Sequence, residues 1–178
     1  MKYSKVLLIS VLGGCCALWR CTAPQPSIIN SPGQSIVMSF DCRDGRPRYC
    51  VLYRGDTIVQ PSAMGFEFKD GTAMNNHFVV DSVVHSSLDE VWHQPWGENK
   101  TVRNRYNQMT VYLKQQDSLA RVMTIDFRAF DDGVAFRYGF PKQSGLDSFI
   151  IVDERTEFCM RGDLKTWWCE ADFDSYEK

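Results

Sequence analysis

The feature that most constrains the fold is a pair of alternating segments in residues 121–140, which meet at Asp132-Gly133. Every second residue on each side is apolar: Met123, Ile125, Phe127 and Ala129 before the dipeptide, and Val134, Phe136, Tyr138 and Phe140 after it. Asp-Gly is favoured in tight hairpin turns because glycine adopts the positive φ that these turns need. The stretch therefore predicts a β-hairpin with one apolar face. Two strands cannot bury such a face alone, so other strands must pack against it.

Further short strands are predicted along the chain, and no segment shows sustained helical periodicity. They are residues 35–42, 48–54, 57–60, 64–68, 78–84, 108–113 and 149–153. Pro61 is expected to end the third of these, because proline cannot donate to a strand ladder. Short strands with turn signals every ~8 to 12 residues predict an all-β fold, an antiparallel β-sandwich. The length of 178 residues is enough for about one domain.

The N-terminus resembles an export signal. Lys2 and Lys5 precede a short apolar run, residues 6–12, which is too short to span a membrane. We therefore predict a signal and linker in residues 1–26, followed by the β-sandwich domain in residues 27–178. The protein is expected to be exported, to the periplasm or the outer membrane.

Two processing routes remain open for this signal. Residues 12–15, Leu-Gly-Gly-Cys, resemble a bacterial lipobox, in which Cys15 would carry a lipid anchor and become the new N-terminus. Alternatively, ordinary cleavage would occur near Ala23, although Pro24 follows it directly.

Charge and cysteines limit the partners and the cross-links. The net charge of −2 and the absence of like-charge runs give no reason to expect a nucleic-acid partner. Four cysteines lie beyond the signal: Cys42, Cys50, Cys159 and Cys169. In an oxidising compartment they allow three pairings, including one between Cys42 and Cys50 across a hairpin. A four-thiolate metal site would need closer spacings.

Residues 88–107 break the alternating pattern. Trp92 and Trp96 are interleaved here with acids, bases and amides. Aromatic rings flanked by hydrogen-bonding groups suit sugars, because the rings stack on C–H faces while hydroxyls need donors and acceptors. The alternative, which we favour from the residues alone, is that both tryptophans plug one end of the sandwich.

Several motifs together resemble a known family. They are Asp89-Glu90-x-Trp92, Pro95-Trp96-Gly97-Glu98, Arg103-Asn104-x-Tyr106-Asn107, the run from Phe127-Arg128 through Asp131-Asp132-Gly133 to Phe140-Pro141, and, in the tail, Glu157-Phe158, Gly162-Asp163, Trp167-Trp168 and residues 172–177. In this order they resemble the N-terminal domain of glycoside hydrolase family 97. The resemblance runs from about Asn30 to the last residue.

The resemblance implies a galactose-mutarotase-like β-sandwich that precedes a (β/α)8 barrel in exported, exo-acting α-glycosidases. The barrel carries the family's catalytic acid and its base or nucleophile. We therefore expect an incomplete sandwich without glycosidase activity of its own, whose carbohydrate partner is held by the barrel. The rival hypothesis is a stand-alone carbohydrate-binding module, exported or anchored at Cys15.

The resemblance also implies one metal ligand. In calcium-dependent members, a glutamate at the end of the tail motif ligates the active-site calcium, and here it matches Glu177. A carboxylate suits calcium, which takes several oxygen ligands. Because one carboxylate leaves most of the coordination to water, we expect calcium binding to this chain alone to be weak or absent. The same tail carries Glu170, Asp172 and Asp174, which we interpret as a solvated acidic loop.

Other titratable residues receive structural interpretations. Adjacent acids in a strand point to opposite faces, so Asp89 and Glu90 cannot flank one glycosidic bond. Asp131 and Asp132 are expected to be turn residues. Three histidines, His77, His85 and His93, lie far apart in the sequence and are expected to pack rather than to catalyse.

Overall fold

The computed structural model describes residues 25–144 and 146–165, and every regular element in this part is a β-strand. The strands are β1 (Ser27–Asn30), β2 (Ile36–Arg43), β3 (Arg46–Tyr53), β4 (Asp56–Ala63), β5 (Phe66–Phe68), β6 (Ala73–Met74), β7 (Phe78–His93), β8 (Thr101–Gln115), β9 (Val122–Ala129), β10 (Val134–Gly139) and β11 (Ile151–Glu154). None of the described residues forms a helix long and apolar enough to cross a membrane.

The strands form three sheets in which all neighbours are antiparallel. One sheet has the order β1-β2-β3-β4, the second β10-β9-β8-β7, and the small third sheet β11-β5-β6. The two larger sheets pack face to face, with the rings of Phe40 in β2 and Phe127 in β9 centred 5.6 Å apart. The third sheet adds to this core through Phe66, whose ring centre lies 4.6 Å from that of Tyr138 in β10. The predicted antiparallel all-β fold is confirmed.

The apolar face predicted for residues 121–140 lies in the core. Its first four members, Met123, Ile125, Phe127 and Ala129, are fully buried. The second four, Val134, Phe136, Tyr138 and Phe140, pack against the core while remaining partly exposed. Two strands alone would leave these side chains in water. Here the opposite sheet packs on Phe127 and Phe136, and Phe66 of the third sheet packs on Tyr138 and Phe140.

The turn of this hairpin differs from the prediction. Ala129 pairs with Val134, so four residues, 130–133, connect the strands. The amide of Phe130 donates to the carbonyl of Gly133 over 2.8 Å, and Gly133 does not adopt a positive φ. The expectation of a tight turn with left-handed glycine is wrong, because a four-residue loop reverses the chain without that conformation.

Pro61 does not end its strand as expected, since β4 continues to Ala63. The β3–β4 register shifts between Tyr49, which faces Ser62, and Val51, which faces Val59. Pro61 therefore lies at a bulge in the last strand of its sheet, where a missing N–H breaks no regular ladder bond.

Cys42 and Cys50 do not face each other. Cys42 pairs with Pro47 and Cys50 with Ser39, and the alternation of β2 and β3 places the two thiols on opposite faces. The Cys42 thiol donates to the carbonyl of Phe78 at 3.3 Å, and burial raises its pKa to about 11. The described cysteines, which include the exposed Cys159, form no disulfide with one another, and Cys169 lies outside the described residues.

Candidate functional site

A long two-stranded arm is the most distinctive surface feature. Strands β7 and β8 pair from Phe78 opposite Gln115 to His93 opposite Thr101. We call residues 88–106, the far part of this hairpin with its connecting loop, the distal arm. Sequence reasoning placed no strand here, because neither face is buried in a core and the apolar alternation that marks a core strand is absent.

Side chains alternate between two faces of the distal arm. On the face directed away from the opposing sheet, Leu88 lies opposite Tyr106, Glu90 opposite Asn104, and Trp92 opposite Val102. We call these six residues the outer face. In its middle, Asn104 Nδ2 donates to Glu90 Oε1 over 2.8 Å. We call each of these cross-strand pairs a rung. The polar rung of Glu90 and Asn104 thus lies between two apolar rungs.

The opposite face of the arm is charged. Arg103 donates to both carboxylate oxygens of Asp89, with Nε–Oδ1 at 2.8 Å and Nη2–Oδ2 at 2.7 Å. The hydrogen bond from Arg103 holds the pKa of Asp89 below its ordinary value. Nearer the tip, His93 Nδ1 lies 3.2 Å from Thr101 Oγ1. These contacts tie the two strands together on the side away from the outer face.

The base of the arm is fixed to the sandwich through Asp131. This carboxylate accepts hydrogen bonds from the amide of Gly33 and, at 2.7 Å, from Arg105 Nη2. The Gly33 amide is the main cause of the lowered pKa of Asp131, and Arg105 adds to it. Asn107 Nδ2 also donates to the carbonyl of Asn30 over 2.8 Å. Asp131 lies in the loop between β9 and β10, as predicted. Its contacts join this loop to the segments of Gly33 and Arg105, which are distant in sequence.

The two tryptophans do not plug the sandwich. Trp92 is 47% exposed on the outer face, and Trp96 is 85% exposed in the loop at the tip of the arm. Our favoured interpretation is wrong, because β7 and β8 continue beyond the sandwich and carry Trp92 and the loop with Trp96 away from its end.

A buried aromatic group at the arm's base was missed by sequence reasoning. Tyr106 is 7% exposed although it lies on the outer face. The ring of Phe130 lies 5.2 Å from it, and the guanidinium carbon of Arg128 lies 4.3 Å from its ring centre. Arg128 is held in turn by Gln108 Oε1 at 2.8 Å. The signal available in the sequence was the pair Arg128 and Phe130, which are two residues apart and so can both reach Tyr106 in the neighbouring strand.

Asp89, Glu90 and the three histidines, all within the described residues, do not form a catalytic constellation. Asp89 and Glu90 lie on opposite faces of β7, as predicted from the strand alternation. The three histidines are spread along the length of β7: His77 lies just before its start, His85 in its middle and His93 at its end. Each is about 27 Å along the strand from the next, given ~3.4 Å per residue.

The residues implied as metal ligands fall outside the described part. Glu177, Glu170, Asp172 and Asp174 all lie beyond residue 165. Within residues 25–144 and 146–165, no group of three or more histidine, cysteine, aspartate or glutamate side chains could hold a metal ion.

Comparison with known proteins decides the family. The family model described as "Glycosyl-hydrolase 97 N-terminal" matches residues 29–178. This chain belongs to glycoside hydrolase family 97. A family 97 enzyme from Pseudoalteromonas sp. strain K8, solved in complex with panose, superposes with a TM-score of 0.73 at 35% identity. That alignment covers 75% of this chain and 20% of the enzyme.

Two further relatives show how this family 97 domain recurs. A retaining alpha-galactosidase from Bacteroides thetaiotaomicron is 26% identical over 164 residues, which cover 92% of this chain and 23% of that protein. A beta-arabinopyranosidase structure superposes with a TM-score of 0.69 at 25% identity, covering 77% of this chain and 22% of the other. The chain thus spans less than a quarter of the length of these relatives.

Proposed function

We propose that this chain is the non-catalytic N-terminal domain of an exported α-glycosidase, in which it braces the catalytic barrel and forms one side of the sugar site. The observation that carries this proposal is the family 97 match over residues 29–178. Where the structure describes the matched region, it is an all-β domain with an exposed arm.

The placement of the acids supports a non-catalytic role. Glycoside hydrolysis requires two carboxyl groups across the bond, ~5 to 5.5 Å apart for retention or ~6.5 to 9.5 Å for inversion. Asp89 is bound by Arg103 on one face of the arm, while Glu90 lies on the other. Asp131 is occupied by Gly33 and Arg105. Asp89 and Asp131 are thus each paired with an arginine, so neither carboxylate is free to serve as a general acid.

An activity assay tests this role directly. We expect the purified chain to release no p-nitrophenol from p-nitrophenyl α-glucoside or α-galactoside above the buffer rate. Turnover that survives purification to homogeneity would show that the chain carries its own acid and base, and would end the proposal.

We further propose that Glu177 donates its carboxylate to calcium in the intact enzyme. Bound calcium would supply a Lewis acid near the sugar. The described residues hold no ligand set of their own, so the remaining protein ligands would come from elsewhere, and we derive no step through the metal. Calorimetry with calcium chloride is expected to show millimolar or weaker affinity, because calcium takes six to eight oxygens. Micromolar affinity that is lost in Glu177→Ala would instead indicate a complete local site.

Export is part of the same proposal. Lys2 and Lys5 before the apolar run support a secretory signal. Mass spectrometry of the protein from its host would show either a lipid-modified N-terminus at Cys15 or a start near Pro24. An unprocessed chain in the cytoplasmic fraction would contradict export.

A second candidate function is a stand-alone carbohydrate-binding module. The exposure of Trp92 and Trp96 favours it, because tryptophan is on average a highly buried residue. This candidate predicts glycan binding as the whole activity of the chain, whereas the leading proposal requires a catalytic barrel. Expression with a family 97 barrel in trans discriminates them, since only a bracing domain would co-purify with the barrel.

A further inference from the structure

We propose that the outer face of the distal arm is a contact surface for an α-linked pyranose oligosaccharide. Trp92 would stack against a sugar ring, and Glu90 with Asn104 would bind hydroxyl groups beside it. The class of ligand rests on the proposed function, and solved relatives in complex with panose and with acarbose support it. The surface itself rests on the geometry of the arm.

The three rungs of the outer face have a spacing that fits a short oligosaccharide. Alternate residues in a strand lie ~7 Å apart, so the rung of Leu88 and the rung of Trp92 are separated by ~14 Å. Trp92 is 47% exposed and offers a broad apolar surface at the far rung. Pyranose rings present C–H faces to such surfaces and direct hydroxyls to the side, where the middle rung lies.

The middle rung argues against a purely apolar protein partner. Covering the outer face with apolar side chains would bury the Glu90 carboxylate, and burying a charge without compensating hydrogen bonds is costly. Among the described residues, Glu90 receives only the hydrogen bond from Asn104 to its Oε1. A sugar hydroxyl can donate to Oε2, and another can donate to the amide oxygen of Asn104. An oligosaccharide therefore satisfies the polar rung while covering the apolar ones.

The outer face is held in place from behind and from below. The bidentate Asp89–Arg103 pair joins the strands on the opposite face. At the base, Tyr106 packs against both Phe130 and Arg128. Ordered side chains lose less freedom on binding, so a preorganised ladder is better suited to a weakly bound sugar than a loop is.

Trp96 provides the matched control. It is 85% exposed, yet it lies in the connecting loop and not on the ladder. The loop is closed by Gln94, whose Nε2 donates to the carbonyl of Asn99 over 2.6 Å. An aromatic ring without the polar rung beside it should contribute little to recognition of hydroxyls.

Calorimetric titration of the full chain with panose tests the inference. We expect weak binding, weakened about tenfold in Trp92→Ala, which corresponds to ~1.4 kcal/mol. Glu90→Leu should also weaken it, because the variant keeps an apolar face but loses the acceptor. Trp96→Ala should bind panose as the parent chain does. Far-UV circular dichroism of each variant establishes that the fold is retained.

The outcomes separate this inference from the proposed function. No heat with panose, equal affinity in Trp92→Ala, or loss of affinity only in Trp96→Ala would each overturn the outer-face assignment. Tighter association of Glu90→Leu with a family 97 barrel would show instead that the face docks protein. Hydrolysis of a chromogenic glycoside by the chain alone is the separate result that would overturn the non-catalytic role.

Discussion

At the scale of single residues, the guanidinium of Arg121 is the most completely enclosed charge among the described side chains. It is 3% exposed and donates to Gln115 Oε1 at 2.8 Å, Thr72 Oγ1 at 2.9 Å and the carbonyl of Ala73 at 2.7 Å. Its carbon atom also lies 5.5 Å from the ring centre of Phe68. One side chain thus joins the small third sheet to the end of β8.

Replacing Arg121 should lower the stability of the fold. In Arg121→Met, the Gln115 and Ala73 oxygens lose their charged donor inside the protein, and we expect the free energy of unfolding to fall by about 3 kcal/mol. Urea denaturation measures it. The matched control is Arg43→Met. Arg43 is exposed, and its Nε lies 3.6 Å from Asp41 Oδ2 in a surface pair, which contributes little to stability. Similar midpoints for both variants would show that the buried network adds no stability.

Asp131 predicts a pH dependence. Its pKa is lowered from 3.8 in the folded chain, first by the Gly33 amide and then by Arg105. The ionised form is therefore favoured by folding, so its stabilisation is present above pH 3.8 and is lost as the pH falls through the lower folded pKa. Asp131→Asn should lower the melting temperature at pH 7 and flatten the loss of stability below pH 4.

The neighbouring acid is the control for that titration. Asp132 is in the same loop but makes none of the contacts of Asp131 with Gly33 or Arg105. Asp132→Asn should follow the parent curve from pH 7 to pH 3. Identical curves for the two variants would mean that the junction at Gly33 contributes nothing to acid stability.

Sequence reasoning recovered residues whose environment is set locally and missed those set by distant contacts. Met123, Ile125 and Phe127 were placed in the core because their own strand alternates. The exposure of Trp92 could not be read in the same way, because it depends on how far β7 extends beyond the opposing sheet. Glu177 stays a prediction, since it lies outside the described residues.

At the scale of elements, strands were predicted well where one face is buried and poorly where neither is. Residues 78–84 and 108–113 were recognised, yet β7 and β8 run to Phe78–His93 and Thr101–Gln115. Beyond the sandwich the two strands are held mainly by each other, so hydrophobic periodicity carries no signal there. Charged and amide pairs across the strands, such as Asp89 with Arg103, replace it.

The connection between β4 and β5 predicts a sensitive glycine. Gly65 has a φ of +150°, and a Cβ built there would lie 2.6 Å from the Cα of Asn75. Because that neighbour is backbone, Gly65→Ala must displace the third sheet, and we expect a loss of roughly 2 to 4 kcal/mol. Gly71 also has a positive φ, of +81°, but a Cβ built there would have open space around it.

Thermal unfolding of the two alanine variants separates crowding from backbone strain. Gly71→Ala should lower the melting temperature modestly, by the strain alone, which is about 1 kcal/mol. Gly65→Ala should lower it clearly further. Equal decreases would show that the close approach to Asn75 does not hold the third sheet in place.

At the scale of the whole molecule, the two large sheets leave β7 as an outer strand. In the part of the chain that is described, β7 pairs only with β8, and several of its apolar side chains face water, including Val84 at 52% exposed and Val91 at 55%. Long outer strands with exposed apolar residues are templates for pairing between chains. The isolated chain is therefore expected to associate as its concentration rises.

Two adjacent valines of β7 test this expectation with opposite results. Val84 points away from the core, so Val84→Lys should reduce association in sedimentation velocity while leaving the melting temperature unchanged. Val83 is partly buried against the core, so Val83→Lys loses this apolar packing and should destabilise the fold by about 1 to 2 kcal/mol. If Val84→Lys associates as strongly as the parent chain, the contact between copies does not form along β7, and another exposed surface must account for it.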